Sequence, residues 1–187
     1  MSFISSNIET MNANVVTYKD YNYKLKDIPK EFQLIFDVID EEAESYLMSL
    51  MDVETDKSRE KLKQIMKDIA MSEELKKYYP FLKYKINTRY SDKIKKGDGM
   101  MFHIEDKKFY NPQVAVISFG SDIQIALQDI KTNTNVYIPI PRRSMFIIRD
   151  PQFKYKRGIA KREVDRYGSM EVKRGDRYSI VLLSKIE

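Results

Sequence analysis

Residues 113–129, QVAVISFGSDIQIALQD, decide the fold class of this chain. The stretch has the two-residue period of β-strands, and Gly120 interrupts it as a turn would. Other strand-like stretches precede and follow it: KYKINTRY (83–90), NVYIPIP (135–141), SMFIIRD (144–150) and RYSIVLLSKI (177–186). No helical pattern separates these stretches, and a parallel βαβ sheet needs helices between its strands. They therefore predict a β-sandwich or jelly roll.

The preceding residues have a helical period. FQLIFDVI (32–39) predicts a strand, and Asp40 predicts the N-cap of a helix. Two sets of apolar residues then follow at helical spacing: Ala43, Tyr46, Leu47, Leu50 and Met51; Leu62, Ile65, Met66 and Ile69. The second helix is expected to be capped near Asp56 or Ser58, and SEELKKYYP (72–80) predicts one more short turn. Helices followed by many short strands predict an α+β fold.

Composition limits the class of protein. The chain has 187 residues, of which 42% are hydrophobic and 33% charged, as expected for one globular domain. There is no cysteine, which excludes disulfides, thiolate catalysis and zinc–thiolate sites. The chain has no apolar run of membrane-spanning length and no signal-peptide pattern, so we expect an intracellular protein, cytoplasmic or nuclear, with no membrane partner. We expect residues 1–29 to form an N-terminal arm or irregular lead-in and residues 30–187 to form the domain.

Positive charge is concentrated in two segments. The net charge is +5. Residues 81–110 contain eight Lys or Arg against four Asp or Glu, and residues 141–177 contain twelve against five. Such segments favour a nucleic-acid-binding face, and a solvated lysine-rich surface is the alternative.

Eight cations are the candidate nucleic-acid contacts: Arg89, Lys93, Lys95, Lys96, Lys154, Lys156, Lys161 and Arg162. In residues 153–168, Phe153, Tyr155 and Tyr167 are interleaved with the last four of these cations and Arg166, where the rings could stack bases or belong to the core. On a strand, Phe153 and Tyr155 would share a face with Arg157.

The single histidine lies in GDGMMFHIED (97–106). Five further stretches accompany it in order: FDVIDEEAESYLMSLM (36–51), INTRY (86–90), PQVAVISFGSDIQIALQD (112–129), IPIPRRSMFIIRDPQFKYKRGIAKR (138–162) and RGDRYSIVLLSKI (174–186). Together they resemble the AlkB-like 2-oxoglutarate/Fe(II)-dependent oxygenases over most of the chain. The resemblance implies a double-stranded β-helix, a jelly roll with supporting N-terminal helices.

The resemblance also implies a metal site, which this chain matches only in part. Family members hold Fe(II) with two histidines and one aspartate. His103 matches the first histidine, Glu105 stands at the aspartate position, and Arg157 stands at the second histidine. Guanidinium has no lone pair to donate and stays protonated. We therefore expect a degenerate site without catalytic residues, in which Arg157 pairs with Glu105; His103 and Glu105 are metal ligands only if the site is active.

The cosubstrate residues are also matched in part. Arg177 matches the arginine that binds the far carboxylate of 2-oxoglutarate, and Ser179 shares its face of the strand. Leu183 stands where a second arginine is expected. Asn87 and Tyr90 resemble cosubstrate contacts, but one extra residue between them places one on the wrong face or requires a bulge.

Three functions stay open. The leading hypothesis is a catalytically degenerate AlkB-like protein, without Fe(II) or 2-oxoglutarate, that binds nucleic acid or is a subunit of a larger assembly. The second is an active Fe(II)/2-oxoglutarate oxygenase of the nucleic-acid demethylase type, with an atypical metal site. Asp150, Glu163 or Asp165 could add a carboxylate to that site, but such oxygen ligands favour Mg²⁺ or Mn²⁺ over an oxygen-activating iron. The third is a protein–protein interaction module.

Overall fold

Among the residues that the structure describes, three helices lie in the first half of the chain. The computed structural model describes residues 3–4, 9–10, 15–18, 21–24, 28–53, 55–78, 86–87 and 91–185. The helices are α1 (Glu41–Asp52), α2 (Asp56–Met71) and α3 (Glu73–Tyr78). None of these described helices has the length and apolar character needed to cross a membrane.

The strands form two main antiparallel sheets. In chain order they are β1 (Glu9–Thr10), β2 (Val15–Tyr18), β3 (Tyr21–Lys24), β4 (Phe32–Phe36), β5 (Ile86–Asn87), β6 (Ser91–Ile94), β7 (Met100–His103), β8 (Tyr110–Phe119), β9 (Ile123–Asp129), β10 (Asn135–Ile140), β11 (Ser144–Arg149), β12 (Tyr155–Ile159), β13 (Val164–Tyr167), β14 (Met170–Lys173) and β15 (Arg177–Lys185). The major sheet has the order β1-β4-β11-β8-β15-β5, and β6 also pairs with β15. The minor sheet has the order β10-β9-β12-β7. Two hairpins, β2–β3 and β13–β14, complete the described strands.

The major sheet is buried on both faces. Leu34 and Ile35 are adjacent on β4, point to opposite faces and are both fully buried. Ile35 packs with Leu47 and Ile69 beneath the helices. Leu34 packs with Ile125 of the minor sheet in the core between the two sheets. Two-sided burial explains why these strands are continuous apolar runs rather than alternating ones.

The helix starts follow from local hydrogen bonds. Asp40 caps α1 as predicted, since its carboxylate accepts the Ala43 N–H at 2.7 Å. The predicted cap of α2 at Asp56 or Ser58 is wrong: Thr55 is the N-cap. Ser58 N–H donates to Thr55 Oγ1 at 3.1 Å, and Thr55 N–H donates to Ser58 Oγ at 3.0 Å, a reciprocal capping box.

The described parts of residues 1–29 contain regular structure. β1 pairs with β4 at one edge of the major sheet, and β2 and β3 form a hairpin. Ile4 is buried in the core beneath the helices. The strands here are too short to give a sequence period.

The β13–β14 hairpin, which no apolar pattern indicates, is attached by a buried ion pair. Asp165 is fully buried and accepts two hydrogen bonds of 2.7 Å from the Arg174 guanidinium. It also accepts the Gln124 N–H at 2.9 Å and the Arg162 Nε–H at 2.8 Å. The buried residues of β13 are Asp165 and Tyr167, a carboxylate and a tyrosine rather than two aliphatic residues, so hydrophobic periodicity did not predict this strand.

Candidate functional site

A cavity of about 210 Å³ lies between the two sheets. One wall is formed by alternate residues of β15, Arg177, Ser179, Val181 and Leu183, as their alternation predicted. The opposite strands β7 and β12 contribute side chains that include His103 and Arg157. The resemblance placed a metal and cosubstrate site among these residues, and they line one cavity.

A β-bulge on β7 determines which side chains enter the cavity. His103 pairs with Arg157 and Met100 pairs with Ile159, so two residues of β7 lie between these pairs where β12 has one. The extra residue breaks the alternation of faces. Met100 and His103 both line the cavity, while Phe102 lies on Gly158 on the other side of the sheet and Met101 is exposed.

Arg157 and Glu105 form an ion pair beside His103. Arg157 Nη2 donates to Glu105 Oε1, and both side chains are largely buried. This is the pairing expected from the sequence, between residues 52 positions apart. Glu105 Oε1 also lies 3.9 Å from His103 Nε2, too far for a hydrogen bond. The carboxylate at the predicted metal position therefore has a guanidinium partner.

The imidazole of His103 contacts a backbone carbonyl. Its Nδ1 lies 3.0 Å from the carbonyl oxygen of Met101. A carbonyl only accepts, so Nδ1 carries the proton in this hydrogen bond and Nε2 of the neutral ring has the lone pair. His103 Nε2 is thus one nitrogen donor facing Glu105.

Arg177 is buried at the β15 wall. Its Nε donates to Ser118 Oγ at 2.9 Å, and Ser179 on the same face is also buried. Asn87 pairs with Leu183 across β5 and β15, which places its backbone beside this wall. Tyr90 lies outside the described residues.

A smaller cavity of about 40 Å³ adjoins the ion pair, and His103, Glu105 and Arg157 line both cavities. Tyr155 and Asp150 also line the smaller one. The pKa of the Tyr155 phenol is raised, first by burial and then by nearby carboxylates that include Asp150.

Of the three carboxylates that could have added a metal ligand, only Asp150 lies near Glu105. Asp150 lines the smaller cavity together with Glu105, and its Oδ2 accepts the Tyr155 N–H at 2.8 Å. Asp165 is instead held by Arg174, and Glu163 lies 3.5 Å from Lys96 Nζ. Across the described residues, no three His, Cys, Asp or Glu side chains are grouped in a way that could hold a metal ion.

The two predicted basic segments meet near the β6–β7 turn. Lys96 Nζ lies 3.5 Å from Glu163, and Lys161 Nζ lies 4.0 Å from Asp98. Lys95 in the same turn is exposed. These contacts bring residues 95–99 alongside residues 160–163.

The remaining candidate cations have different surroundings. Lys93 Nζ lies 2.7 Å from Asp52, and this hydrogen bond raises the pKa of Lys93. Lys154 lies 3.9 Å from Glu31, and Lys156 is half-buried on β12. Arg162 contacts Asp165 and Gln124. Arg89 lies outside the described residues.

The aromatic residues predicted to stack bases are corrected by the structure. Phe153 precedes β12 with a φ of 49°, and its side chain lines the smaller cavity together with Tyr155 and Arg157. Tyr167 is buried in the core between the sheets. The exposed aromatics of the minor sheet are instead Phe102 and Tyr137. Sequence alternation did not identify Phe102 because the bulge shifts the faces of β7.

Comparison with known proteins gives the class of the fold. No protein-family model and no curated protein matches this chain. The chain is similar to the crystal structure of a prolyl-4-hydroxylase from Pseudomonas putida, with a TM-score of 0.51 and 6% sequence identity, over 84% of this chain and 89% of that chain. At this identity the similarity shows the fold alone.

The predicted α+β double-stranded β-helix, a jelly roll with supporting helices, is confirmed. The finer AlkB-like resemblance stays a prediction.

Proposed function

We propose that this protein acts by binding rather than by iron-dependent oxidation. The observation that carries the proposal is the contact of the Arg157 guanidinium with Glu105 beside His103. An arginine donates no electron pair to a metal, and its permanent charge repels a divalent cation at close range.

The residues at this position do not fit a facial triad of iron ligands. Such a triad needs three donors, and His103 Nε2 and the Glu105 carboxylate supply two. The carboxylate is already neutralised by Arg157. A metal ion would have to displace the guanidinium from Glu105 and so break a largely buried ion pair, which is costly.

Nucleic acid is the ligand class that the charge distribution favours. The chain carries a net charge of +5, and the contacts between residues 95–99 and 160–163 bring Lys95, Lys96 and Lys161 into one basic region. The ion pairs of Lys96 and Lys161 are solvent-exposed and long. Such pairs are worth less than about 1 kcal/mol, so they leave these cations available to phosphates.

The experiment is a fluorescence-anisotropy titration of a labelled oligonucleotide at several salt concentrations. Nucleic-acid binding predicts a linear fall of log affinity with log salt concentration. Lys95→Gln should make that slope shallower by about 0.7 for a single strand, because one phosphate contact is lost. The matched control is Lys67→Gln, the same charge change on exposed helix α2, which should leave the slope unchanged. Absence of salt-dependent binding would remove nucleic acid as the ligand and leave a protein partner.

A second candidate, an active oxygenase with an atypical metal site, is favoured by one observation. Arg177 and Ser179 line a cavity of about 210 Å³, large enough for a small dicarboxylic acid such as 2-oxoglutarate. The arginine would hold one carboxylate by charge-assisted hydrogen bonds. Conversion of 2-oxoglutarate to succinate that Arg177→Met abolishes would establish this function. The binding proposal predicts no succinate above the protein-free control.

A further inference from the structure

The outer surface of the minor sheet carries two exposed aromatic rings at the ends of one row. Antiparallel pairing aligns Tyr137 on β10 with Ala126 on β9, and Ala126 with Gly158 on β12. At the β7 bulge the Phe102 ring lies against Gly158. Tyr137 is 44% exposed and Phe102 is 39% exposed. We call this row the aromatic face (Tyr137, Ala126, Gly158 and Phe102).

The alternation of the neighbouring residues fixes these side chains on the outside. Ile125 and Leu127 flank Ala126 on β9 and pack in the core between the sheets. Arg157 and Ile159 flank Gly158 on β12 and line the cavity. The aromatic face is therefore opposite the cavity and separate from the ion pair.

The floor of the aromatic face consists of the two smallest residues. A Cβ atom built on Gly158 would lie 2.9 Å from Phe102 Cδ1, so the Phe102 ring lies directly on the glycine. Ala126 is the next residue across the sheet. Ala126 is 3% exposed and Gly158 is also buried, so the two exposed rings at the ends of the row are the parts of this face that flat groups can reach.

Cations border the aromatic face. The Arg162 guanidinium carbon lies 6.0 Å from the centroid of the Tyr137 ring. Its partner Asp165 is already bound by Arg174, so two guanidinium groups share one carboxylate and one positive charge is left over. Lys156 lies two residues from Gly158 on the same face of β12.

From this arrangement we infer that the aromatic face stacks unpaired bases of single-stranded nucleic acid. Phe102 and Tyr137 are three strand spacings apart, about 14 Å between Cα atoms, so each ring takes a separate base. Lys156 and Arg162 contact the phosphates. Exposed aromatics beside cations on a sheet are the arrangement that binds single strands by stacking, since every base has a π-face. The inference rests on the proposed nucleic-acid binding and names its surface.

The test measures anisotropy of a fluorescein-labelled single-stranded RNA or DNA 12-mer with the full chain. Phe102→Ala and Tyr137→Ala should each weaken binding by roughly 5- to 100-fold, the effect of losing one base stack. Phe102→Tyr should keep the affinity, and neither alanine variant should change the salt slope. Lys156→Gln should reduce the slope by about 0.7. Duplex of the same sequence should bind more weakly, because its bases are already stacked on each other.

The matched control is Phe109→Ala, which removes an aromatic ring that is 59% exposed and lies outside the aromatic face. Circular dichroism and urea unfolding verify that each variant is folded, and Tyr137 tests the surface on a different strand if a Phe102 variant fails to fold. Oligonucleotide binding that is unchanged by both alanine substitutions would overturn the inference and leave the proposed function standing. Failure of the wild-type chain to bind any oligonucleotide would overturn both.

A second copy of the chain is the competing occupant of the aromatic face. Met101 next to Phe102 is 89% exposed, and exposed apolar side chains on an edge strand also favour self-association. Light scattering separates the two occupants. The inference predicts that the mass in solution is the same for wild type and Phe102→Ala; a dimer that the substitution converts to monomer would contradict it.

Discussion

Replacing Arg157 with methionine removes the cation of the Arg157–Glu105 ion pair and keeps much of the side-chain volume. Arg157 is 11% exposed and Glu105 is 20% exposed, so Glu105 would lose its partner in a largely buried place. Breaking a fully buried pair costs about 3–5 kcal/mol, and an exposed pair is worth less than about 1 kcal/mol. Because both side chains are more buried than exposed, we expect Arg157→Met to lower the free energy of unfolding by about 2–3 kcal/mol.

The assay is urea unfolding followed by circular dichroism. For a slope of about 2 kcal/mol per molar urea, Arg157→Met should lower the midpoint by roughly 1–1.5 M. The double variant Arg157→Met/Glu105→Gln should recover most of the loss, because no uncompensated charge is left in the site.

The double-mutant cycle isolates the interaction of the two side chains. We expect a coupling energy of about 1–3 kcal/mol between Arg157→Met and Glu105→Gln. Effects of the two single substitutions that add to within about 0.5 kcal/mol would refute the reasoning, because independent residues show that behaviour.

Three further predictions concern the fold around the site. Gly120→Ala should lower the free energy of unfolding in urea by about 2–4 kcal/mol, because φ is +84° and a Cβ would lie 2.7 Å from a buried tyrosine ring. The control Gly175→Ala, whose Cβ would have no atom nearer than 3.6 Å, should lower it by less than about 1 kcal/mol. Arg174→Met should cost about 3–5 kcal/mol, because it removes two hydrogen bonds from fully buried Asp165; a loss below about 1 kcal/mol would contradict this. The pKa of the Asp52 carboxyl is lowered below its ordinary value of 3.8, first by its hydrogen bond with Lys93, so the charged carboxylate stabilises the fold above about pH 4 and this stabilisation is lost as pH falls through the lowered pKa. The free energy of unfolding of Asp52→Asn should therefore depend less on pH below about pH 4 than that of the wild type, and parallel pH profiles of the two proteins would exclude this role.

Local signals predicted the parts of the fold that local chemistry determines. The strands at 110–119, 123–129, 135–140 and 144–149 follow from short apolar segments, some alternating and some continuous, that turn residues separate. Asp40 was identifiable as a cap because it is followed directly by a helical apolar pattern. Thr55 was missed because residues 55–58 hold three eligible capping residues, and only the reciprocal bonds with Ser58 select one.

The sequence predicted a contact in the candidate site only where the family resemblance assigned both contacting residues to the same site. The resemblance assigned Glu105 and Arg157 to the same metal site, so their ion pair could be expected although 52 residues separate them. The bulge that turns Phe102 outward has no local signature in MMFH. The Asp165–Arg174 pair likewise depends on burial, which a polar sequence does not reveal.

The most direct test of the central claim is an anaerobic calorimetric titration of the purified chain with Fe(II) or Mn(II) in the presence of 2-oxoglutarate. A site in which Arg157 holds Glu105 predicts no binding to the wild-type chain and measurable binding to Arg157→His/Glu105→Asp, which restores three donors. Binding of one metal ion per wild-type chain would contradict the account.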